Sequence, residues 1–143
     1  RRFSIPYKVM EQSIMVAVTQ QKVVQKLAQQ GDCVIIGRCA DTVLAHLHPL
    51  RIFVYADRPS KLKRCQERAA EQEKFTVAEM ERRMRQIDKN RAKKHELTAS
   101  IPWGAKEGYD LCINTSGREI KALVPALTEY IKSWFSSEYN AME

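Results

Sequence analysis

Glycine is scarce in this 143-residue chain, with five residues at 31, 37, 104, 108 and 117, each set apart as punctuation. No Gly-x-x-x-x-Gly-Lys-[Ser/Thr] run occurs, so the sequence carries no phosphate-cradling loop of that kind. The cysteines, Cys33, Cys39, Cys65 and Cys112, form no Cys-x-x-Cys pair, which argues against zinc ribbons and dithiol redox motifs. They read as reduced thiols of a cytoplasmic protein. Only three histidines are present and none follows a suitable strand, so there is no Ser-His-Asp candidate. His46 and His48 form a His-x-His, but further metal ligands are missing elsewhere. Apolar runs are all of strand length, too short for a transmembrane helix, and no membrane partner is expected. No signal-peptide pattern, internal repeat or Gly/Ser linker is visible. The chain opens on Arg1-Arg2 rather than Met, which suggests that a natural N-terminus is missing.

What is abundant is positive charge. Much of the net +7 falls in Met80 to Lys94, where Arg82, Arg83, Arg85, Lys89, Arg91, Lys93 and Lys94 form a basic cluster around one acid, Asp88, with Glu81 just ahead of it. Such a patch wants a polyanion. It is either a lid over phosphates or a helix that lies on nucleic acid.

Alternating helical and strand-like segments organise the chain, which has the size of a single domain over residues 1–143. Met10, Ile14, Ala17, Val24, Leu27 and Ala28 recur at helical spacing, predicting a helix from Tyr7 to Gln30 that stops at Gly31. Cys33 to Ile36 is a continuous apolar run that predicts a buried strand, followed by Gly37-Arg38. Asp41 is placed to cap a short helix over 42–47. Strands are expected at 51–56 and 109–115, a helix from Ser60, and another from Val77 announced by the capping box Thr76-Val77-Ala78-Glu79. Ile120, Leu123, Leu127, Ile131 and Trp134 mark a last helix, in which Pro125 predicts a kink or a late start. This order argues for an α/β fold with a parallel sheet, whose ligands gather beyond the C-terminal ends of the strands. Gly37-Arg38, Ala56-Asp57 and Asn114-Thr115 all fall at such ends.

Val77, Met80, Met84 and Ile87 form an apolar stripe whose spacing continues through Asp88, Arg91 and His95. The packed face thus turns polar partway along, and a charge there needs a partner or a ligand. Arg91 and Asp88 either pair at i, i+3 or face a ligand together. Arg82 and Arg85 point elsewhere and read as solvated, as do most of Lys61, Lys63, Arg64 and Arg68. Arg38, after a strand and a glycine, offers a planar fork suited to phosphate or carboxylate. Asp41 either caps the next helix or accepts hydrogen bonds from a base or sugar.

Cys33 to Asp41, Arg51 to Ala56, Ile87 to Arg91 with Trp103-Gly104, and Tyr109 to Ser116 together resemble the cytidylate kinase-like family of bacterial P-loop nucleoside monophosphate kinases. The resemblance runs from about Glu11 to Phe135. It implies a P-loop kinase-like three-layer α/β/α fold with a helical lid at about 76–96. It also implies transfer of the γ-phosphoryl of ATP, with Mg²⁺, to CMP, dCMP or a similar nucleoside monophosphate. In the related enzymes the Gly-Arg after the third strand binds the monophosphate, which here is Gly37 and Arg38. An acid follows directly there; Cys39 takes that place here, and the acid is Asp41. The Asp-x-x-Arg of the lid matches Asp88 and Arg91. A further lid arginine lies four residues before the aspartate in the family. That position is Met84 here, between Arg83 and Arg85, and Arg83 lies nearer the apolar stripe.

The family's opening strand and P-loop have no counterpart in these residues. The expectation is therefore a piece of a longer enzyme, able to hold a monophosphate but not to bind ATP normally. A nucleic-acid-binding module and a nucleotide-binding relative without catalysis are the rivals. The inward Asp88, Arg91 and His95 argue against the first, so no nucleic-acid partner is expected.

Overall fold

The computed structural model describes residues 7–69 and 75–136, which fall into two units, 1–49 and 50–143. In the first unit, α1 spans Tyr7–Gln29 and ends where predicted, with Gly31 at a positive φ of 133°. Only the C-terminal part of its apolar stripe is covered. Val24 is buried and Ala28 half-buried, whereas Ile14 and Leu27 are 55% and 46% exposed. The side chain of Met10 lies outside the described residues. The reason is local: α2 (Ala40–Val43) meets α1, and Ala40, Val43 and Leu44 pack with Ile35 around Val24 and Ala28. Periodicity says which side a helix would bury, not whether another element reaches it.

The strand expected at Cys33–Ile36 does not form. The segment is irregular, with Val34 93% and Ile36 90% exposed and Ile35 alone turned to the small core. A strand persists only where its amides and carbonyls enter a ladder, and the ladder among the described residues has two strands from elsewhere. The helix expected over 42–47 is also corrected. It begins at Ala40, is capped by Cys39 without a side-chain bond, and passes into a 3-10 turn at Ala45–Leu47. Asp41 therefore sits inside the first turn and is not the cap.

In the second unit, β1 (Ile52–Tyr55) and β2 (Leu111–Asn114) pair in parallel, with Ile52 opposite Leu111 and Tyr55 opposite Asn114. A parallel pair needs a long crossover, and α3 (Arg58–Arg68) and α4 (Val77–Glu96) lie in it. The strands are shorter and less buried than expected, with Val54 58% and Tyr55 43% exposed. Phe53 anchors one face through Trp103, edge-on at 5.3 Å, and Tyr109 at 4.8 Å. At the entry to the pair, Arg51 donates from its backbone N–H to Asp110 Oδ2 at 2.7 Å and from Nη2 to Oδ1 at 2.9 Å.

Helix starts follow local chemistry. Asp57 caps α3 by accepting from the Ser60 amide at 2.8 Å, and Pro59 occupies the first turn, so α3 begins before Ser60. Thr76 and Glu79 form the predicted capping box of α4, with 2.8 Å from the Thr76 amide to Glu79 Oε2 and 3.3 Å in return. Pro125 enforces a late start: a 3-10 turn at Ile120–Leu123 precedes α5 (Val124–Trp134). Leu123, Leu127, Ile131 and Trp134 are half-buried along one side. This mixed architecture with a small parallel sheet is consistent with α/β. The sheet has two strands among the described residues, and none of their helices is long and apolar enough to cross a membrane.

Candidate functional site

In the first unit the chain turns sharply where the irregular segment ends. Gly37, Arg38 and Cys39 have φ of 70°, 60° and 54°, three left-handed residues in succession. Glycine adopts this freely, but for Arg38 and Cys39 the conformation costs about 1–2 kcal/mol each. The turn is closed by the Ala40 amide donating to Gly37 O at 3.2 Å. The Val43 amide donates to Cys39 O at 2.9 Å and starts α2. Ala40, buried beside Val24, holds the exit. Arg38 is thus exposed on a strained turn and makes no ion pair among the described residues. Asp41 lies half-buried three residues on.

In the second unit α4 docks on α3 through two ion pairs. Lys61 Nζ meets Asp88 Oδ2 at 2.7 Å, and Arg58 pairs with Glu81. The other oxygen of Asp88, Oδ1, lies 3.5 Å from Arg91 Nη1. A small pocket of about 140 Å³ lies between the helices, lined by Arg58, Lys61, Glu81, Met84, Arg85 and Asp88.

This arrangement changes the predicted orientations. Arg91 does not point into the packed face: its side chain is 63% exposed. The covered side is centred near Asp88, with Met80, Glu81, Met84, Ala92 and His95 at least half-buried, while Ile87 is exposed. At about 100° per residue, Arg85 and Arg91 stand about 60° to either side of Asp88. Both arginines are exposed, but Arg85 borders the pocket and Arg91 does not line it. Arg83 is about 140° away from Asp88, and its guanidinium lies 3.9 Å from the centroid of the Phe75 ring, a cation–π contact. Arg85 is exposed, as its sequence position implies, but it is also the α4 arginine that borders the pocket, opposite Arg58 of α3. Lys61 was missed as a partner for Asp88. Its spacing with Arg64, i and i+3 on one helix face, was the available signal.

The C-terminal ends of β1 and β2 are tied by their own hydrogen bonds. Ser116 Oγ donates to Asn114 Oδ1 at 2.7 Å and accepts from the Asp57 amide at 2.7 Å. Ser60 Oγ accepts from the Gly117 amide at 2.9 Å. Arg64 Nη1 donates to Thr115 Oγ1 at 3.0 Å, and Nη2 reaches the carbonyls of Thr115 and Arg118. Thr115 is buried beneath this fork. Hydrogen bonding by Ser60 holds the Asp57 carboxyl below its ordinary range. Thr76 does the same for Glu79 at the head of α4.

A family model described as the cytidylate kinase-like family matches residues 4–117, most of the chain. The chain belongs to the cytidylate kinase-like family. The matched span contains Gly37, Arg38, Asp41, Arg83, Asp88 and Arg91. A solved structure, that of an uncharacterized protein from Eubacterium ventriosum, is similar at a TM-score of 0.73 and 28% identity. The similarity covers 82% of this chain and 65% of that one, so this chain spans just under two thirds of its length. A search of curated proteins finds no match.

Proposed function

We propose that this protein is a nucleoside monophosphate kinase, moving the γ-phosphoryl of ATP to a phosphate oxygen of CMP, dCMP or a similar acceptor. The observation that carries the reading is the strained turn presenting Arg38 within a cytidylate kinase-like chain. Strain is retained where the surrounding structure enforces it, commonly at functional sites. Arg38 would hold the acceptor phosphate through its two-pronged donor face, and Asp41 would accept from the base or sugar.

The helix α4 would serve as the lid. Phosphoryl transfer needs positioning and charge neutralisation more than covalent chemistry. Arg91, exposed beside Asp88, would neutralise charge on the transferring group, and closure would exclude water. Arg85 on the opposite shoulder would be the second lid arginine, in place of Arg83. Among the described residues no group of three or more His, Cys, Asp and Glu gathers as a metal site. Mg²⁺ would arrive with the ATP and neutralise part of its phosphate charge.

A coupled assay of ADP formation by the native protein tests the reading. CMP or dCMP should stimulate turnover. Arg38→Ala should lower kcat/KM for the acceptor by about a hundredfold, the loss of a charged fork. Arg91→Ala should lower kcat more than acceptor binding. If CMP, dCMP, UMP and AMP all fail to stimulate ADP formation, the proposal is wrong. Nucleotide binding without turnover would then indicate a relative that has lost catalysis.

A further inference from the structure

We propose that Lys61 is a positioning residue that acts through Asp88 to keep Arg91 available to the phosphates. This rests on the phosphoryl-transfer reading above and deepens it. Asp88 is half-buried and shares its two oxygens between cations of different helices: Lys61 of α3 at 2.7 Å and Arg91 of α4 at 3.5 Å. The short contact goes to Lys61. The contact to Arg91 is long, and the Arg91 side chain stays 63% exposed.

The physical consequence is a competition for one carboxylate. Asp88 and Arg91 are three residues apart on a helix, a spacing at which such side chains pair unaided. An unshared Asp88 carboxylate would draw the guanidinium into a tight local pair and remove it from any ligand. With Lys61 already on Oδ2, the charge of Asp88 is largely answered, and Arg91 is oriented without being captured. A planar guanidinium held this way keeps donors free for a phosphate.

The second cross-helix pair makes the device directional. Arg58 and Lys61 are one turn apart on α3, and Glu81 and Asp88 are two turns apart on α4. One pair alone would let α4 swing about it. Two pairs fix the rotation of α4 about its own axis, and hence which shoulder of Asp88 carries the exposed arginine. The first-turn capping box at Thr76 and Glu79 fixes the other end of the same helix.

The experiment uses the native protein and the variants Lys61→Ala, Lys61→Arg, Asp88→Asn and the double variant Lys61→Ala/Asp88→Asn. Lys61→Ala should lower kcat by about ten- to a hundredfold, up to the scale of a catalytic group misplaced by about 1 Å, with the KM for the monophosphate changed less than twofold. Lys61→Arg should recover most of kcat. In the Asp88→Asn background, Lys61→Ala should have no further effect, because the carboxylate it answers is gone. Lys63→Ala, an exposed lysine whose contact to Glu67 is 3.9 Å, should behave as wild type. An effect of Lys61→Ala that is equally large without the Asp88 charge, or a wild-type kcat, overturns the proposal. Hydrogen exchange without nucleotide supplies a readout independent of activity. Amides from Met84 to His95 should exchange faster in Lys61→Ala than in wild type or Lys61→Arg, and unchanged exchange also overturns it. Faster exchange in a protein that forms no ADP with any acceptor would refute the kinase reading while leaving the Lys61–Asp88 clamp in place.

Discussion

Asp110→Asn should weaken the entry to the parallel strand pair by about 2 kcal/mol. Asp110 accepts from the Arg51 backbone N–H at 2.7 Å, from Nε at 3.1 Å and from Nη2 at 2.9 Å. The Asp110 side chain is 15% exposed and that of Arg51 36%, so the backbone bond is shielded while the fork is partly screened. A shielded bond to a charged acceptor contributes about 1.5–3 kcal/mol, and a screened fork about 0.5–1 kcal/mol. Asparagine keeps one acceptor and turns an N–H₂ toward a donor, so about 2 kcal/mol is the expected net loss. For a chain of this size that is about 4–8 °C in Tm. Burial works to raise the Asp110 carboxyl, but the hydrogen bonds and charge of Arg51 outweigh it, so its folded pKa lies below the ordinary 3.8. The sign follows from linkage. The stabilisation is complete above the unfolded value, near 3.8, and is lost as pH falls through the lower folded value. Thermal melts of wild type and variant by circular dichroism should therefore separate at neutral pH and converge as pH falls below the ordinary 3.8 and through the lower folded value. Comparing the two proteins at each pH cancels the carboxylates they share. A separation under about 1 °C at neutral pH, or one that persists undiminished in acid, would refute the reasoning.

Two further outcomes test the packing around the same sheet. Arg64→Ala should cost about 2–3 kcal/mol, because it strips donors from the buried Thr115. The expected signature is a lower urea midpoint at unchanged slope, with Arg64→Lys recovering only part, since an ammonium cannot fork. Gly104→Ala should cost about 2–4 kcal/mol, combining left-handed strain with overpacking. The residue has φ of 85°, and a Cβ would meet the Phe53 ring at 3.0 Å. Trp103 packs on the same ring, so its near-UV signal should change, and a wild-type melt with a wild-type spectrum would contradict this.

Much of the second unit was legible in the chain because its signals are short-range. Thr76 and Glu79 bond within one turn, so the start of α4 needs no tertiary partner to be read. Pro125 left two outcomes open, and the structure chose the late start. Arg51 to Ala56 and Tyr109 to Thr115 carry strand-like patterns and pair with each other, although only Ile52–Tyr55 and Leu111–Asn114 enter the ladder. Cys33–Ile36 has the same apolar character but does not enter the two-stranded ladder of the described residues, so composition alone overstates it. Arg38 was identified from its place after Gly37. The run of three left-handed residues that holds it was not, because nothing in Arg38 or Cys39 favours that conformation.

The basic run from Met80 to Lys94 shows where local rules stop. Helical phase put Asp88 on the covered side correctly, since the apolar residues before it define that side. It put Arg91 on that side too, whereas Arg91 is 63% exposed, because Val77 and Ile87 of the apolar stripe that sets the phase are themselves exposed. It also could not see Lys61, a residue 27 positions earlier that answers the carboxylate directly. The start of α4, the two paired strands and the family followed from nearest-neighbour chemistry and residue pattern. Which α4 arginine borders the pocket was decided by the docking of α3 on α4, because charge pairs between helices depend on a crossing that no single helix encodes.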